Sequence, residues 1–419
     1  GPAGGAILAA RIAAETGETE VLSFDMGGTT AKLCLIDNFR PQSARKFEIA
    51  RAARFIKGSG MPVRIPVIEM IEIGAGGGSV AQVDRLGRLQ VGPESAGSEP
   101  GPAAFSKGGT DPTVTDADVM QGLIAPDRFA EGRLAIDMGA AETALVRGVG
   151  QSLGLDAATA ARGISEIVDE NMAAAGRMHA VESGKDLGAR LMIAFGGNGP
   201  LHATRVARRA QVKRILIPRD PGVGSAVGFL FAPVSFEIIR SRYATLDALD
   251  LAGLNDFFEN MIEEAQAVVR TGAPEAPLVR RRMAFMRYHG QGHEIEVTLP
   301  DRTLEDRDIA DLRRRFEDAY RGQFSRAVPG MTIEILNWAL EVSSEPRALE
   351  KSTPPTQRKP AKPSGQRRIL CDVTGDWCMA DIHDRAALSP GDHLQGPALI
   401  IEPQTTTYVS ADFGASVDG

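Results

Sequence analysis

Two glycines and two threonines, Gly27, Gly28, Thr29 and Thr30, separate the apolar run Val21-Leu22-Ser23-Phe24 from the run Leu33-Cys34-Leu35-Ile36, and Asp25 stands at the entrance. Short runs of this kind read as strands, and paired glycines between them read as a tight turn. The spacing predicts a hairpin, strand 21–25 and strand 31–37. Glycine lets the backbone approach a bound group, so the turn's N–H groups and the Thr29 and Thr30 hydroxyls can point at phosphate oxygens. Asp25 is placed to hold a Mg2+-bound water. No G-x-x-x-x-G-K-[ST] follows and a strand leaves the turn, so this cradle differs from a P-loop. A hairpin whose glycines serve only the turn would use the same residues.

A second glycine turn favours the phosphate reading. In "AFGGNGPLHA", 194–203, an apolar strand runs into Gly196, Gly197 and Gly199 and opens a helix. An adenine or ribose could lie on that backbone, or an anion could use the helix start. "VKRILIPRDPGVGSAVGFL" supplies another strand and another glycine turn, so strand and helix alternate as in an α/β domain. Helices are expected over 4–15 and 157–180, with 65–124 mostly loop and short strand. The character changes after about 235. The expected division is a nucleotide-binding lobe over 1–234, an α+β domain over 235–351, a Pro/Lys-rich linker over 352–366, and a small β-rich segment over 367–419.

Composition removes several classes. A formal charge of −7 over 419 residues gives no footprint for nucleic acid, and Arg280, Arg281 and Arg282 are expected on a solvated face. Cys34, Cys371 and Cys378 form neither a C-x-x-C pair nor an even framework, so they are read as reduced thiols. No signal-peptide pattern or membrane-length apolar run is visible, and a cytoplasmic location without membrane contact is expected. His289 and His293 in "HGQGH" have zinc-like spacing, but the flanking pattern predicts a strand and no metal. Asp111, Asp116 and Asp118 in "DPTVTDAD" read as a turn and a helix capped by Thr115, in preference to a cation site. His202, just past the second glycine turn, is a functional candidate.

Taken in order, "GPAGGAILAA", "SFDMGGTTAKLCLID", "EIGAGGGSVAQVD", "GPESAGSEPGPA", "GGTDPTVTDADV", "AFGGNGPLHA", "IPRDPGVGSAVGFL" and "MRYHGQGHEIEV" resemble the hydantoinase A/oxoprolinase family, within the actin, Hsp70 and sugar kinase ATPase superfamily. The resemblance implies an actin-like, ribonuclease H-like α/β lobe followed by an α+β region. It places Asp25, Gly27, Gly28, Thr29 and Thr30 on the family's second phosphate motif, and Gly196, Gly197 and Gly199 on its adenosine motif. Glu72 and the loop of Gly76, Gly77, Gly78 and Ser79 fall near the substrate side. ATP and Mg2+ are the implied cofactors, and a hydantoinase B-type subunit is the implied partner.

The implied activity is ATP-dependent activation of a lactam or amide oxygen for ring opening. The alternatives are a subunit of an acetone- or acetophenone-type carboxylase, or a non-catalytic scaffold. Asp25, Lys32, Glu72 and His202 are the catalytic candidates, with Asp25 also the metal candidate. Many relatives carry aspartate where Lys32 stands; Ala104 and Phe105 replace a thiol and a phenol, and Ile71 replaces a histidine. The family's first phosphate hairpin does not occur upstream, so the chain is expected to be a fragment or split subunit that alone binds ATP weakly or not at all.

Overall fold

The hairpin forms as its spacing predicts: β1 (Glu20–Met26) and β2 (Ala31–Asp37) pair antiparallel, with Asp25 opposite Lys32. The structure is a computed structural model describing residues 2–44, 47–49, 60–63, 67–345, 348–349, 355 and 357–418. The expected linker over 352–366 lies partly outside the described residues. Two compact units are present, Gly1–Phe231 with Leu349–Gly419, and Ala232–Ala348.

In the first unit, β3 (Arg40–Pro41) and β4 (Ile71–Ile73) pair with the outer edge of β2, while β5 (Leu191–Phe195) and β6 (Arg214–Leu216) continue the sheet in parallel beyond β1. Side chains alternate between faces along each strand, and both faces are apolar. Leu22, Phe24, Leu33, Leu35, Met192 and Ala194 meet Ile164, Val168 and Met172 of α3 (Ala157–Glu182) and Val206 of α4 (Gly199–Ala210). Val21, Cys34, Ile36, Ile193 and Phe195 meet α1 (Pro2–Thr16) and α5 (Gly224–Phe231). The result is a three-layer α/β lobe.

Helix α2 (Val114–Met120) starts two residues earlier than expected. Thr113, not Thr115, is its cap, in a reciprocal box with Asp116, because Asp116 can accept from both the Thr113 amide at 2.8 Å and its hydroxyl at 2.7 Å.

The second unit orders its sheet β7 (Ser235–Thr245), β10 (Ile333–Ser344), β8 (Leu278–Tyr288), β9 (Ile295–Leu299). Its core joins Phe258 of α6 (Leu251–Gly272) and Phe316 of α7 (Asp306–Phe324) to Trp338 and Tyr288. Two expectations change here. His289 and His293 sit in the connection between β8 and β9, where His289 Nδ1 lies 2.5 Å from Glu334 and His293 Nε2 lies 3.1 Å from Gln323. Arg282 is buried, not solvated, and pairs with Glu259 and Asp301, because its position on β8 faces the helices.

Returning to the first unit, β11 (Gly365–Leu370), β12 (Trp377–Asp384), β13 (Ala398–Ile401) and β14 (Thr406–Val409) form a sheet in that order. Ile369, Ala380, Leu399 and Tyr408 pack with Val119 and Leu201, so this sheet covers α2 and α4.

The helices of the lobe share a buried ionic knot. His202 of α4 sits 2.6 Å from Asp169 of α3 through Nδ1 and 3.1 Å from Asp118 of α2 through Nε2. Arg205 Nε lies 2.8 Å from the second Asp169 oxygen. Burial alone would depress the His202 pKa, but Asp118 and Asp169 outweigh it and hold the ring above its ordinary value. Two cations therefore face two carboxylates in the dark. Removing His202 leaves two buried carboxylates to share the single cation Arg205, so His202→Ala should lower stability by about 3–5 kcal/mol in denaturant unfolding. A loss below about 1 kcal/mol would show that the knot is not neutralised in this way.

Candidate functional site

Because β1 and β5 are parallel neighbours with Asp25 opposite Phe195, the two glycine turns leave the sheet side by side at its carboxyl end. The backbone joins them. Asn198 donates from its amide to Met26 O at 3.0 Å and from its side chain to Gly27 O at 3.0 Å. A third glycine turn closes beneath, with Gly77 N donating to Gly27 O at 3.1 Å and Gly78 N to Gly28 O at 2.6 Å.

Such close approach requires glycine at two positions. A Cβ on Gly76 would lie 2.7 Å from Gly28 C and Thr29 N. One on Gly196, whose φ is +91°, would lie 2.4 Å from Met26 O and 2.6 Å from Asp25 Oδ1. The hairpin tip is closed by Gly27 N donating to Thr30 O at 3.0 Å. With the carbonyls of Gly27 and Gly28 tied back, the exposed amides of Gly28 and Thr29 donate to nothing among the described residues. An anion would meet donors there and no carbonyls.

A row of charges crosses the sheet next to this tip. Asp25 on β1, Lys32 on β2 and Glu72 on β4 are register partners and so project from one face. Lys32 Nζ donates to Thr30 Oγ1 and lies 3.6 Å from Glu72. Asp25 Oδ2 accepts from Ser225 Oγ at 2.6 Å, at the start of α5. Burial raises the Asp25 pKa, opposed by the Ser225 hydrogen bond and by Lys32. Its Oδ1 takes no hydrogen bond among the described residues. A Mg2+ ion that keeps waters and binds phosphate needs only one or two carboxylates, so Asp25 suffices as the protein's contribution. Among the described residues no group of three or more His, Cys, Asp or Glu could hold a metal ion by itself.

The structure thus brings together Asp25, Gly27, Gly28, Thr29, Thr30, Lys32, Glu72, Gly196, Gly197 and Gly199. It does not bring His202, which faces away into the ionic knot and is wholly buried. Gly76, Gly77, Gly78 and Ser79 are buried as well, and Ser79 Oγ accepts from Gly76 N at 2.9 Å; this loop buttresses the hairpin from below.

Three contributors went unnoticed in the sequence. Ser225 lies within the quoted "IPRDPGVGSAVGFL", a signal that points to the segment but not to the residue. Asn198 sits between glycines that drew the attention. Thr405, on the loop between β13 and β14, donates to Gly197 O at 2.8 Å, and nothing local marks it. Beside it Glu402 lines a small cavity shared with Gly197 and Asn198.

The sequence model described as Hydantoinase/oxoprolinase matches residues 1–238, and that of the Hydantoinase/oxoprolinase C-terminal domain matches 249–419. The chain is 32% identical to the acetophenone carboxylase gamma subunit of Aromatoleum aromaticum, over 98% of this chain and 56% of that one. It is 29% identical to the caprolactamase subunit alpha of Pseudomonas jessenii, over 100% of this chain and 60% of that one. The crystal structure of the ATP-dependent caprolactamase superposes with a TM-score of 0.77 at 28% identity, covering 100% of this chain and 60% of that one. A nucleotide-free acetone carboxylase structure gives 0.83 at 22% identity, over 100% and 60%, and so shares the fold. The chain spans about three fifths of the length of these relatives. Among the described residues no helix is long and apolar enough to cross a membrane.

Two outcomes follow from the geometry. Gly76→Ala should cost about 1–3 kcal/mol by overpacking backbone that cannot yield, whereas Gly28→Ala, with nothing within 4 Å of the added carbon, should melt close to the parent; equal melting of the two would refute the clasp. Burial pushes the Glu402 carboxyl up to about 7, Arg385 opposing and Asp220 adding. The folded state therefore binds this proton more tightly than the unfolded one, whose value is 4.5, and that stabilisation is full below about 4.5 and lost as pH rises through about 7. Glu402→Gln should gain about 1–2 kcal/mol on the parent between about pH 4.5 and 8, after discounting for partial exposure. Urea unfolding at both pH values checks it.

Proposed function

Since the chain belongs to the hydantoinase/oxoprolinase family, we propose that its glycine clasp binds the phosphates of ATP for an ATP-dependent cyclic amidohydrolase. The observation that carries this reading is the arrangement of the hairpin tip: free amides at Gly28 and Thr29, with Lys32 reaching the tip through Thr30. A lactam is a poor electrophile because its nitrogen lone pair is delocalised into the carbonyl. In the proposed reaction the lactam oxygen attacks the γ-phosphorus and ADP leaves. One water then adds to the activated carbon and the C–N bond breaks, freeing the amine and leaving an acyl phosphate; a second water hydrolyses that acyl phosphate, releasing phosphate and the open-chain amino acid.

In phosphoryl transfer the protein's work is positioning and neutralising charge. The Gly28 and Thr29 amides orient the phosphate chain. Lys32 neutralises charge on the transferring group, and Glu72 holds Lys32 at the tip while it does so. Asp25, braced by Ser225, would hold Mg2+, which when bound supplies further neutralisation of the phosphate oxygens. Gly196, Gly197 and Gly199 keep the neighbouring wall low enough for the nucleoside. The proposal includes a hydantoinase B-type partner subunit, in keeping with relatives named as subunits.

A second reading rests on the 32% identity to a carboxylase subunit. There the same phosphoryl transfer would activate the reactants of ketone carboxylation. The two are separated by turnover: the assembled enzyme is offered 5-oxoproline, hydantoins, a seven-membered lactam, or acetone and acetophenone with bicarbonate, and phosphate release is followed. Stimulation by lactams supports the amidohydrolase; stimulation only by ketones with bicarbonate supports the carboxylase; stimulation by none rejects both in favour of a scaffold. With the stimulating substrate, Lys32→Ala and Asp25→Asn should each lower the rate about 100- to 1,000-fold, while His202→Lys, if it folds, should act mainly on stability. A Lys32→Ala enzyme with an unchanged rate would remove Lys32 from the mechanism.

A further inference from the structure

A cavity of about 530 Å3 lies at the far end of α4 from the glycine clasp, between α3, the second half of α4 and the turn that follows β11. Its volume is in the range of small-molecule sites. Four guanidinium groups, Arg162, Arg205, Arg208 and Arg209, share its wall with four carboxylates, Glu166, Asp169, Asp372 and Asp412. The charges cancel, but the hydrogen bonds do not.

The carboxylates are largely occupied. Asp372 accepts from Tyr408 at 2.6 Å and Ser410 at 2.8 Å on one oxygen and from Arg208 at 2.8 Å on the other. Asp412 is gripped on both oxygens by Arg208, at 2.8 and 2.5 Å. Asp169 meets His202 at 2.6 Å through Oδ1, while its Oδ2 pairs with Arg205 Nε at 2.8 Å without a hydrogen bond. Arg208 spends all three of its nitrogens on these partners. The other three guanidiniums do not: Arg162 donates only through Nε, to Glu166 at 2.9 Å, and neither Arg205 Nη1 nor Arg209 Nη2 donates to anything among the described residues. Arg205 is 2% exposed, so its spare donor is a deeply set one. Gly375, whose added Cβ would lie 2.0 Å from Arg162 Nη1, leaves room for that guanidinium beside the turn. Set against the spare acceptors of Asp169 Oδ2 and the second Glu166 oxygen, the spare guanidinium donors are in excess.

We propose that this cavity is a binding site for a small oxyanion, a carboxylate or phosphate group received by Arg162, Arg205 and Arg209. Guanidinium forks match both groups in geometry, and charge-assisted hydrogen bonds are the strong kind. Arg205 lies six residues along α4 from Gly199, about 9 Å by the helical rise, so an occupant touches the helix that begins at the nucleotide turn. This site stands independently of the nucleotide reading.

The test is calorimetric titration of the purified protein, in a buffer free of other oxyanions, with inorganic phosphate, with glutarate, and with the neutral diamide glutaramide. Either anion binding with a stoichiometry of one, and weakened about tenfold or more in Arg162→Gln/Arg209→Gln, supports the site and tells phosphate from carboxylate; the diamide should not bind. These two side chains are at the rim and outside the ionic knot, and the single Arg162→Gln, which gives up only one exposed pair, should weaken binding several-fold if the double variant fails to fold. No binding of either anion, equal affinity for the diamide, or phosphate binding that survives both variants, and so belongs at the hairpin tip, overturns the proposal.

Discussion

The carbonyls of Gly27 and Gly28 are the point on which the site turns. Left free, they would face any incoming phosphate with negative ends of peptide dipoles. Gly77 and Gly78 bind them from below and the Asn198 side chain adds a third bond, which rotates the peptide planes and leaves the Gly28 and Thr29 amides outward. Three chain segments, separated by tens to hundreds of residues, must come within backbone contact to do this. Side chains at Gly76 or Gly196 would meet backbone at 2.7 and 2.4 Å and force these segments to shift apart. The density of glycine in the sequence is therefore a statement about packing as well as about turns.

Much of this was legible because it is local. The hairpin, its turn and the strand-to-helix bend at Gly196 are each written in contiguous residues, and parallel pairing of two such strands places their turns together by topology. The cross-strand row was only half legible: Asp25 and Lys32 follow from hairpin register, but Glu72 joins through β4, whose pairing with β2 no spacing announces. The charged partners of His202 lie far off in sequence, on α2 and α3. Read alone, a histidine after a glycine turn points to the ligand; read with Asp118 and Asp169, it points inward. The cap of α2 was misplaced for a related reason. Thr113 and Thr115 offer the same hydroxyl, and what decides between them is the reach of Asp116 back to the Thr113 amide.

The C-terminal sheet was legible as strands and turns but not as part of the lobe. Its attachment depends on a handful of apolar side chains, Ile369, Ala380, Leu399 and Tyr408, which alternate as any sheet residues do and carry no mark of their partner. Its consequence for the site is the loop between β13 and β14. Thr405 reaches Gly197, and a Cβ on Gly222 would lie 2.7 Å from Gln404, so residues remote in sequence complete the wall beside the second glycine turn.

Buried charge tells the parts of that wall from one another. In the knot around His202 every carboxylate has a cation, and in the row across the sheet Lys32 faces Glu72 while Asp25 takes the Ser225 hydroxyl; both are arrangements in which desolvation is offset where it arises. Glu402 differs. Its Oε2 is shut from solvent with neither a hydrogen bond nor an ion pair among the described residues, and burial pushes the carboxyl up to about 7. Ionising a group of that kind gains solvation if its loop opens, so its burial is held by the loop's other contacts, such as Thr405 to Gly197 O. The clasp at the hairpin tip and the knot beneath α4 are thus held by backbone hydrogen bonds and offset charge, whereas the loop at Glu402 buries a carboxylate oxygen without a hydrogen bond or ion pair among the described residues.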